Sequence, residues 1–465
     1  MKKLNFKFIF PAICLCLALA LEVLACSAEA FTVFYVDKVF PIITLPLSFI
    51  SGLFPFSVGE ILIELGAVLL FVGVVASIVA AVPKVMRAMP KIAATPKDLG
   101  KERKGVGSMP TDLPAMPKIA ATTPETAATP KDLGKERKDV GKEAKKVEPS
   151  GWEKYLIVYK KYMTLLWFLI GVYSLIMVLN CFILYQYPPM HMASADDISK
   201  ELTDSYDVVP VADVISETAD GSEELSKLRD MVVLKANYLA TQMERNEKGE
   251  VIGKSREELI SLSKASMRKL ADEGYPRLSG FYPDFKYFND SKFFSKQDML
   301  GYYFPYSMEA NVNRLMYSTN FPHSICHELS HLKGYLLEDE ANFIGYLACM
   351  ESGDDLFEYS AILSVLGYID NDFFDSLGRD FDKYFQHPVI SDMVLDDDIF
   401  LTDEVRRMVD DSGILDSETV KKASNTFTDT VLTTNGVSDG IKSYSRVVQL
   451  LVDYYSQPEN VARHF

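Results

Sequence analysis

The sequence predicts a mostly helical α+β domain carried behind three transmembrane helices. Three observations lead to that architecture. Separate apolar runs lie ahead of Tyr187, a basic low-complexity loop divides them, and the chain from Pro188 onward is acidic, with helical spacing and few extended stretches. At 465 residues, 48% hydrophobic content and a net charge of −16, the chain supports a membrane part plus one sizeable domain.

The membrane region, residues 1–82, opens with the apolar run Phe8 to Ala25 behind Lys2, Lys3 and Lys7, and continues with Ile61 to Val82. A third run, Met163 to Tyr185, fills the segment 163–187. Each is long enough to cross a bilayer. Val39 to Phe56 is apolar too, but Pro41, Pro46, Gly52 and Pro55 interrupt it, so it reads as interfacial or packed against the spans. Val23-Leu24-Ala25-Cys26 also has the form of a lipoprotein cleavage box with Cys26 as the lipidated residue. Glu22 interrupts the end of that run and two other spans secure the protein, which favours an uncleaved anchor.

Orientation follows from the loop at residues 83–162, which carries roughly +8 net charge and therefore belongs on the cytoplasmic side. The N-terminus is then also inside, and the domain at residues 188–465 is extracytoplasmic on a multi-pass protein of the cell membrane. A fourth span at Val39 to Phe56 would place the basic loop outside, against the charge rule. The loop holds an internal duplication: Ala88 to Ala94 recurs from Ala115, and Ala94 to Lys104 recurs as Ala128 to Lys138. Such sequence cannot bury a core and reads as a tether, with attachment to anionic lipid heads or a cytoplasmic partner as the functional alternative.

In the domain, Glu223 to Met243, Arg256 to Ala271 and Ser443 to Tyr455 have helical spacing, while Tyr302 to Tyr306 and Asn311 to Ser318 look extended. Its acidity makes nucleic acid an unsuitable partner. Cys14, Cys16 and Cys181 lie in spans and Cys26 at a boundary, leaving Cys326 and Cys349 as two thiols at a helix crossing rather than a disulfide framework. His191, His387 and His464 stand alone and read as hydrogen-bonding groups.

The chemistry is concentrated in His327-Glu328-Leu329-Ser330-His331, followed by Gly334 and by Glu338-Asp339-Glu340-Ala341-Asn342. A helix starting near Asn320 or Phe321, with Pro322 in its first turn and Gly334 at its end, projects both histidines from one face about 5–6 Å apart. They can share one ion, Zn2+ being the usual partner of this pattern, and Glu328 stands ready to activate a zinc-bound water. A third ligand comes from the helix beginning near Leu337. Glu338 shares a face with Asn342 and Gly345, whereas Glu340 points roughly 200° away, so Glu338 is favoured and Glu340 is the alternative. Asn342 can support a ligand histidine by hydrogen bonding. Without a metal, the three acids would be a solvated helix N-terminus. His323 reads as a helix-start residue.

This pair of helices resembles the zinc site of the CAAX prenyl proteases and their heat-shock membrane endopeptidase relatives, with Asn342 where those carry aspartate. The metzincin pattern does not apply, because its third histidine would fall at Leu337. Over nearly its whole length the chain resembles an uncharacterised bacterial membrane-protein family, known only as a domain of unknown function, that shares HELxHxxGxxxEDEANFxxYLAC, here His327 to Cys349. The resemblance extends to Gly301-Tyr302-Tyr303-Phe304-Pro305 and to Gly440 through Val448. It implies a shared fold and a zinc-peptidase-like motif, without a substrate. The domain then reads as zincin-like, with Asn311 to Ser318 where such folds place the strand that pairs with a bound peptide.

The expected function is a membrane-anchored zinc metallopeptidase acting on proteins or peptides of the cell envelope, outside the membrane. Tyr444 and Arg446 are the candidates for stabilising the oxyanion. One alternative is a non-catalytic envelope binding protein in which zinc only staples the two helices. Another is a signalling anchor whose cytoplasmic loop carries the activity.

Overall fold

The computed structural model describes residues 6–88, 150–190, 221–413, 416–434 and 446–465. The duplicated segment, His191 and Tyr444 lie outside the described residues. The chain is mostly helical, and by length and apolar composition four helical segments can cross a membrane. They are α1 (Phe6–Ser27), α2 (Glu29–Gly52), α3 (Val58–Ala88) and α4 (Gly151–Tyr185). Two compact units result, Met1–Val72 with Met163–Phe465, and Gly73–Tyr162. In the second, Tyr155 Oη donates to the Ala76 carbonyl at 2.7 Å and the Ser77 and Tyr159 hydroxyls meet at 3.2 Å.

In the first unit, α1 and α4 run side by side in the same direction. Trp167 Nε1 donates to the Phe8 carbonyl, the Phe10 and Phe168 rings stack at 5.2 Å, and Gly171 lies so close to Pro11 that a methyl group there would come within 2.7 Å of its Cα. Near its end α4 loosens into a π-helical turn, Val178–Phe182. Such turns leave carbonyls outside the regular ladder. Here the Leu179 carbonyl accepts from Tyr35 Oη at 2.9 Å and the Asn180 carbonyl from Tyr303 Oη at 3.0 Å, while Asn180 Nδ2 donates to the Pro305 carbonyl at 2.7 Å.

The proline-rich segment expected to be broken is helical through most of its length. A π turn at Tyr35–Val39 precedes Pro41, which falls in the first turn of Phe40–Gly52 where its missing N–H costs nothing, and Pro46 is carried inside. Its polarity is inverted relative to a water-facing helix: Thr32, Thr44, Ser48 and Ser51 are buried against the protein, while Phe34, Ile42, Phe49 and Ile50 are exposed.

The domain includes α5 (Gly221–Gln242), α6 (Arg256–Asp272), α7 (Phe321–His331), α8 (Glu338–Met350), α9 (Asp355–Ser376), α10 (Val447–Tyr455) and α11 (Pro458–His464), with further helices between them, among them Ser417–Thr434. A capping box, Ser255 with Glu258, starts α6. One core runs through α5 to α10, and fully buried Phe343, Tyr346, Phe357 and Tyr359 each contribute about 1.5–3 kcal/mol through apolar burial.

A small sheet of β1 (Lys286–Tyr287), β2 (Gly301–Phe304) and β3 (Glu309–Val312) has the order β1-β3-β2, with β1 parallel and β2 antiparallel to β3. The strand just before α7, expected to offer a free edge to a peptide, is therefore central and paired on both sides. The edge beside α7 belongs to β2. On the other face, buried Glu309 pairs with Lys286 and accepts the Gly59 amide at 2.7 Å, which ties the start of α3 to the sheet. Far from the membrane helices, Glu351 at the end of α8 is braced by Lys269, Arg463 and His464, and His464 continues through Tyr455 to Tyr346.

Candidate metal centre

Pro322 occupies the first turn of α7, and Gly334, at φ +88°, closes the turn that follows it, a conformation that strains any side chain. Between them the helical period puts His327 and His331 on one face with their ring centroids 4.7 Å apart and their Nε2 atoms 3.1 Å apart. Glu338, the first residue of α8, places Oε2 3.2 Å from His327 Nε2 and 3.9 Å from His331 Nε2. A ligand atom from each of the three lies within 4.8 Å of the others. Tetrahedral zinc with bonds near 2.1 Å needs neighbouring donors about 3.3 Å apart, so the donor set fits the ion.

The donors are aimed by their neighbours. His331 Nδ1 bonds the Tyr335 carbonyl at 2.6 Å; a carbonyl only accepts, so Nδ1 carries the proton and Nε2 presents a lone pair. The Asn342 side chain bonds His327. Helix α8 reaches α7 because Gly345 has no side chain: a methyl there would sit 3.1 Å from both His323 Nε2 and the His327 amide. Burial pushes the His331 imidazole down to about 4. Burial also acts to lower His327, but the bond and charge of Glu338, with Glu328 and Asn342, override it and raise the value. The same acidic surroundings that favour a proton on His327 favour a cation there.

Glu328 is buried beside the donors, and its Oε2 has no hydrogen-bond partner among the described residues. Burial raises its carboxyl to about 8, with His327 opposing and Glu338 adding to the shift. Gly301 of β2 makes room for it, since a methyl on Gly301 would overlap the carboxylate and approach Glu328 Cγ to 2.7 Å. The next residue, Tyr302, is 37% exposed. Its hydroxyl is held well above the usual phenol range by desolvation first, then by Cys181, Tyr173, Glu328 and Glu338. Tyr303 packs its ring 5.9 Å from that of His331.

The remaining residues singled out from the sequence occupy distinct places. Glu340 turns away from the histidines and accepts the Met190 amide at 2.6 Å; burial raises it to about 7. Arg446 pairs with Asp339 at 3.2 Å, on the residue next to Glu338. His323 is buried and bonds the Asn342 carbonyl at 3.1 Å, and burial together with His327 lowers it to about 3. Cys326 and Cys349 are free buried thiols in mutual contact. His387 bonds Asp230. Sequence reasoning missed Gly301, Tyr302 and Tyr303 as site residues, because their proximity depends on how β2 lies over α7.

A family model described as "Protein of unknown function (DUF3810)" matches residues 152–452, a stretch that holds all three ligand candidates and Glu328. No curated protein and no solved structure matches the chain.

Proposed function

The chain belongs to the DUF3810 family, whose function is unknown, and on that footing we propose that it is a membrane-anchored zinc metallopeptidase with a zincin-like site. The observation that carries this reading is the convergence of His327, His331 and Glu338 donor atoms within 4.8 Å, beside a buried Glu328 oxygen with no other hydrogen-bond partner among the described residues. A site built only to staple α7 to α8 has no use for that additional, unsatisfied acid.

Zinc held by His327, His331 and Glu338 would supply a Lewis acid that polarises the peptide carbonyl and acidifies a water, and its charge would favour the ionised form of Glu328. Glu328 takes the water proton on Oε2, holds it out of contact with solvent, and returns it to the leaving amine. Tyr302, kept protonated by desolvation and next to Gly301 in β2, is a candidate donor to the developing oxyanion. Arg446, 45% exposed and tied to Asp339, is the second candidate, and Tyr444 lies outside the described residues. The positive charge of the 83–162 loop supports a cytoplasmic loop and a domain on the envelope side, and on this reading the substrates are peptides and proteins there.

The test is the zinc content of the purified full-length protein together with hydrolysis of unstructured protein substrates. Close to one zinc per chain and hydrolysis lost in Glu328→Gln support the peptidase. Zinc that resists chelation, with no hydrolysis by the wild type, supports the alternative of a structural zinc in a binding protein.

A further inference from the structure

Among the described residues the side of α2 that carries Phe34, Ile42 and Ile50 is exposed, and the contacts of its other side state where it lies. At its start Thr32 bonds the Ala25 carbonyl at the end of α1, and Tyr35 bonds the end of α4. Val36 and Phe40 lie beside Gly334, the residue that closes the turn after the HExxH helix. At its other end Ser48 Oγ donates to the Met308 carbonyl at 3.2 Å, Lys286 Nζ donates to the Ser51 carbonyl at 2.7 Å, and the Phe49 and Phe281 rings sit 6.3 Å apart. A helix of this length reaches about 36 Å, enough to cross a bilayer, yet both of its ends rest on the same domain. A crossing helix would carry its second end to the opposite side.

We infer that α2 does not cross the bilayer but lies within the leaflet on the domain's side, and that the metal centre beside it takes peptide bonds in membrane-anchored chains. Three observations carry this. The outward face of α2 is large and apolar while its small hydroxyl residues turn inward, so lipid chains are the medium its surface fits. The site itself is fastened to the end of the membrane helix α4: Leu184 packs against Gly334, and Tyr303, whose ring faces His331, bonds the Asn180 carbonyl. Finally, Tyr302 stands between the site and α4, with Tyr306 stacked on Tyr173 of α4 at 4.0 Å. The donors are thus level with the last turns of α4 and not raised above the membrane on a stalk. The substrate half of this inference rests on the peptidase reading; the placement of α2 does not.

The experiment uses the full-length protein in phosphatidylcholine vesicles, with Cys16→Ser and Cys26→Ser removing the exposed thiols and a bimane fluorophore placed on Phe34→Cys or Phe49→Cys. Nitroxide lipids confined to one leaflet quench both positions from the domain's side, and aqueous iodide quenches neither. Quenching of the two positions from opposite leaflets, or by iodide, overturns the placement. With the unlabelled protein, a randomised peptide library joined to a transmembrane segment is cleaved about tenfold or more faster than the same library free in solution, because confinement raises its effective concentration. Equal rates overturn the substrate class and leave the peptidase standing. Absence of zinc with lipid quenching intact removes the peptidase and leaves α2 in its leaflet.

Discussion

His331 Nε2 lies 3.1 Å from His327 Nε2, and because His331 is protonated on the nitrogen facing the Tyr335 carbonyl, that short approach brings a lone pair against the neighbouring ring. Two lone pairs and the Glu338 carboxylate cannot share such a space without a proton or a cation among them. Glu338→Ala therefore lowers zinc affinity by more than about 100-fold, while Glu340→Ala, whose side chain accepts from Met190, leaves zinc content unchanged. Elemental analysis after dialysis against a weak chelator separates the two. Loss of zinc in Glu340→Ala with retention in Glu338→Ala would reverse the ligand assignment.

Glu328→Gln keeps the shape of the side chain and removes the base. Zinc content stays at the wild-type level and hydrolysis falls about 10²–10⁴-fold, the usual contribution of a positioned base. Hydrolysis within twofold of wild type in this variant contradicts the proposed role.

Gly301→Ala places a methyl group against the Glu328 carboxylate. The neighbour is buried and cannot swing into solvent, so the substitution costs about 1–3 kcal/mol in overpacking. Activity drops further than stability, by about 100-fold, because the base is displaced from its working position. An alanine variant with full activity and an unchanged unfolding midpoint would mean that β2 does not constrain Glu328.

Glu340 gives the fold a pH dependence of definite sign. Burial raises its carboxyl from 4.5 to about 7, so between those values the folded protein holds a proton that the unfolded chain releases. This contribution is complete below pH 4.5 and is lost as pH rises through about 7, a change of about 3 kcal/mol. Thermal unfolding of the detergent-solubilised protein shows the midpoint falling across that window, and Glu340→Gln flattens the fall. An unaltered slope in the glutamine variant assigns the dependence to another group.

The HExxH helix was readable because its evidence is local. Pro322, the 3.6-residue period of His327 and His331, and Gly334 all act within one element, and the choice of Glu338 over Glu340 needed only helical geometry. What could not be read was the approach of distant segments. Gly301 reads as a strand residue until β2 is laid over α7, and nothing in Val178–Phe182 announces a π turn that offers a carbonyl to Tyr303, 123 positions away. The prolines and glycine of the segment after α1 do not break it as expected, since Phe40–Gly52 is one helix with Pro46 inside. Thr44, Ser48 and Ser51 recur at helical spacing, and that stripe of small hydroxyl residues was the available sign of a helix turned inside out.

The brace on Glu351 also sets an order of events during synthesis. Helix α8 carries the third ligand candidate at its first residue, and just past its last turn it ends on a buried acid whose partners include Arg463 and His464, the latter 113 positions further along. Before those positions are made, Glu351 lacks two of its partners and keeps only Lys269 at the far end of α8. The bracing of the far end of α8 is therefore completed only after the chain has been synthesised through His464.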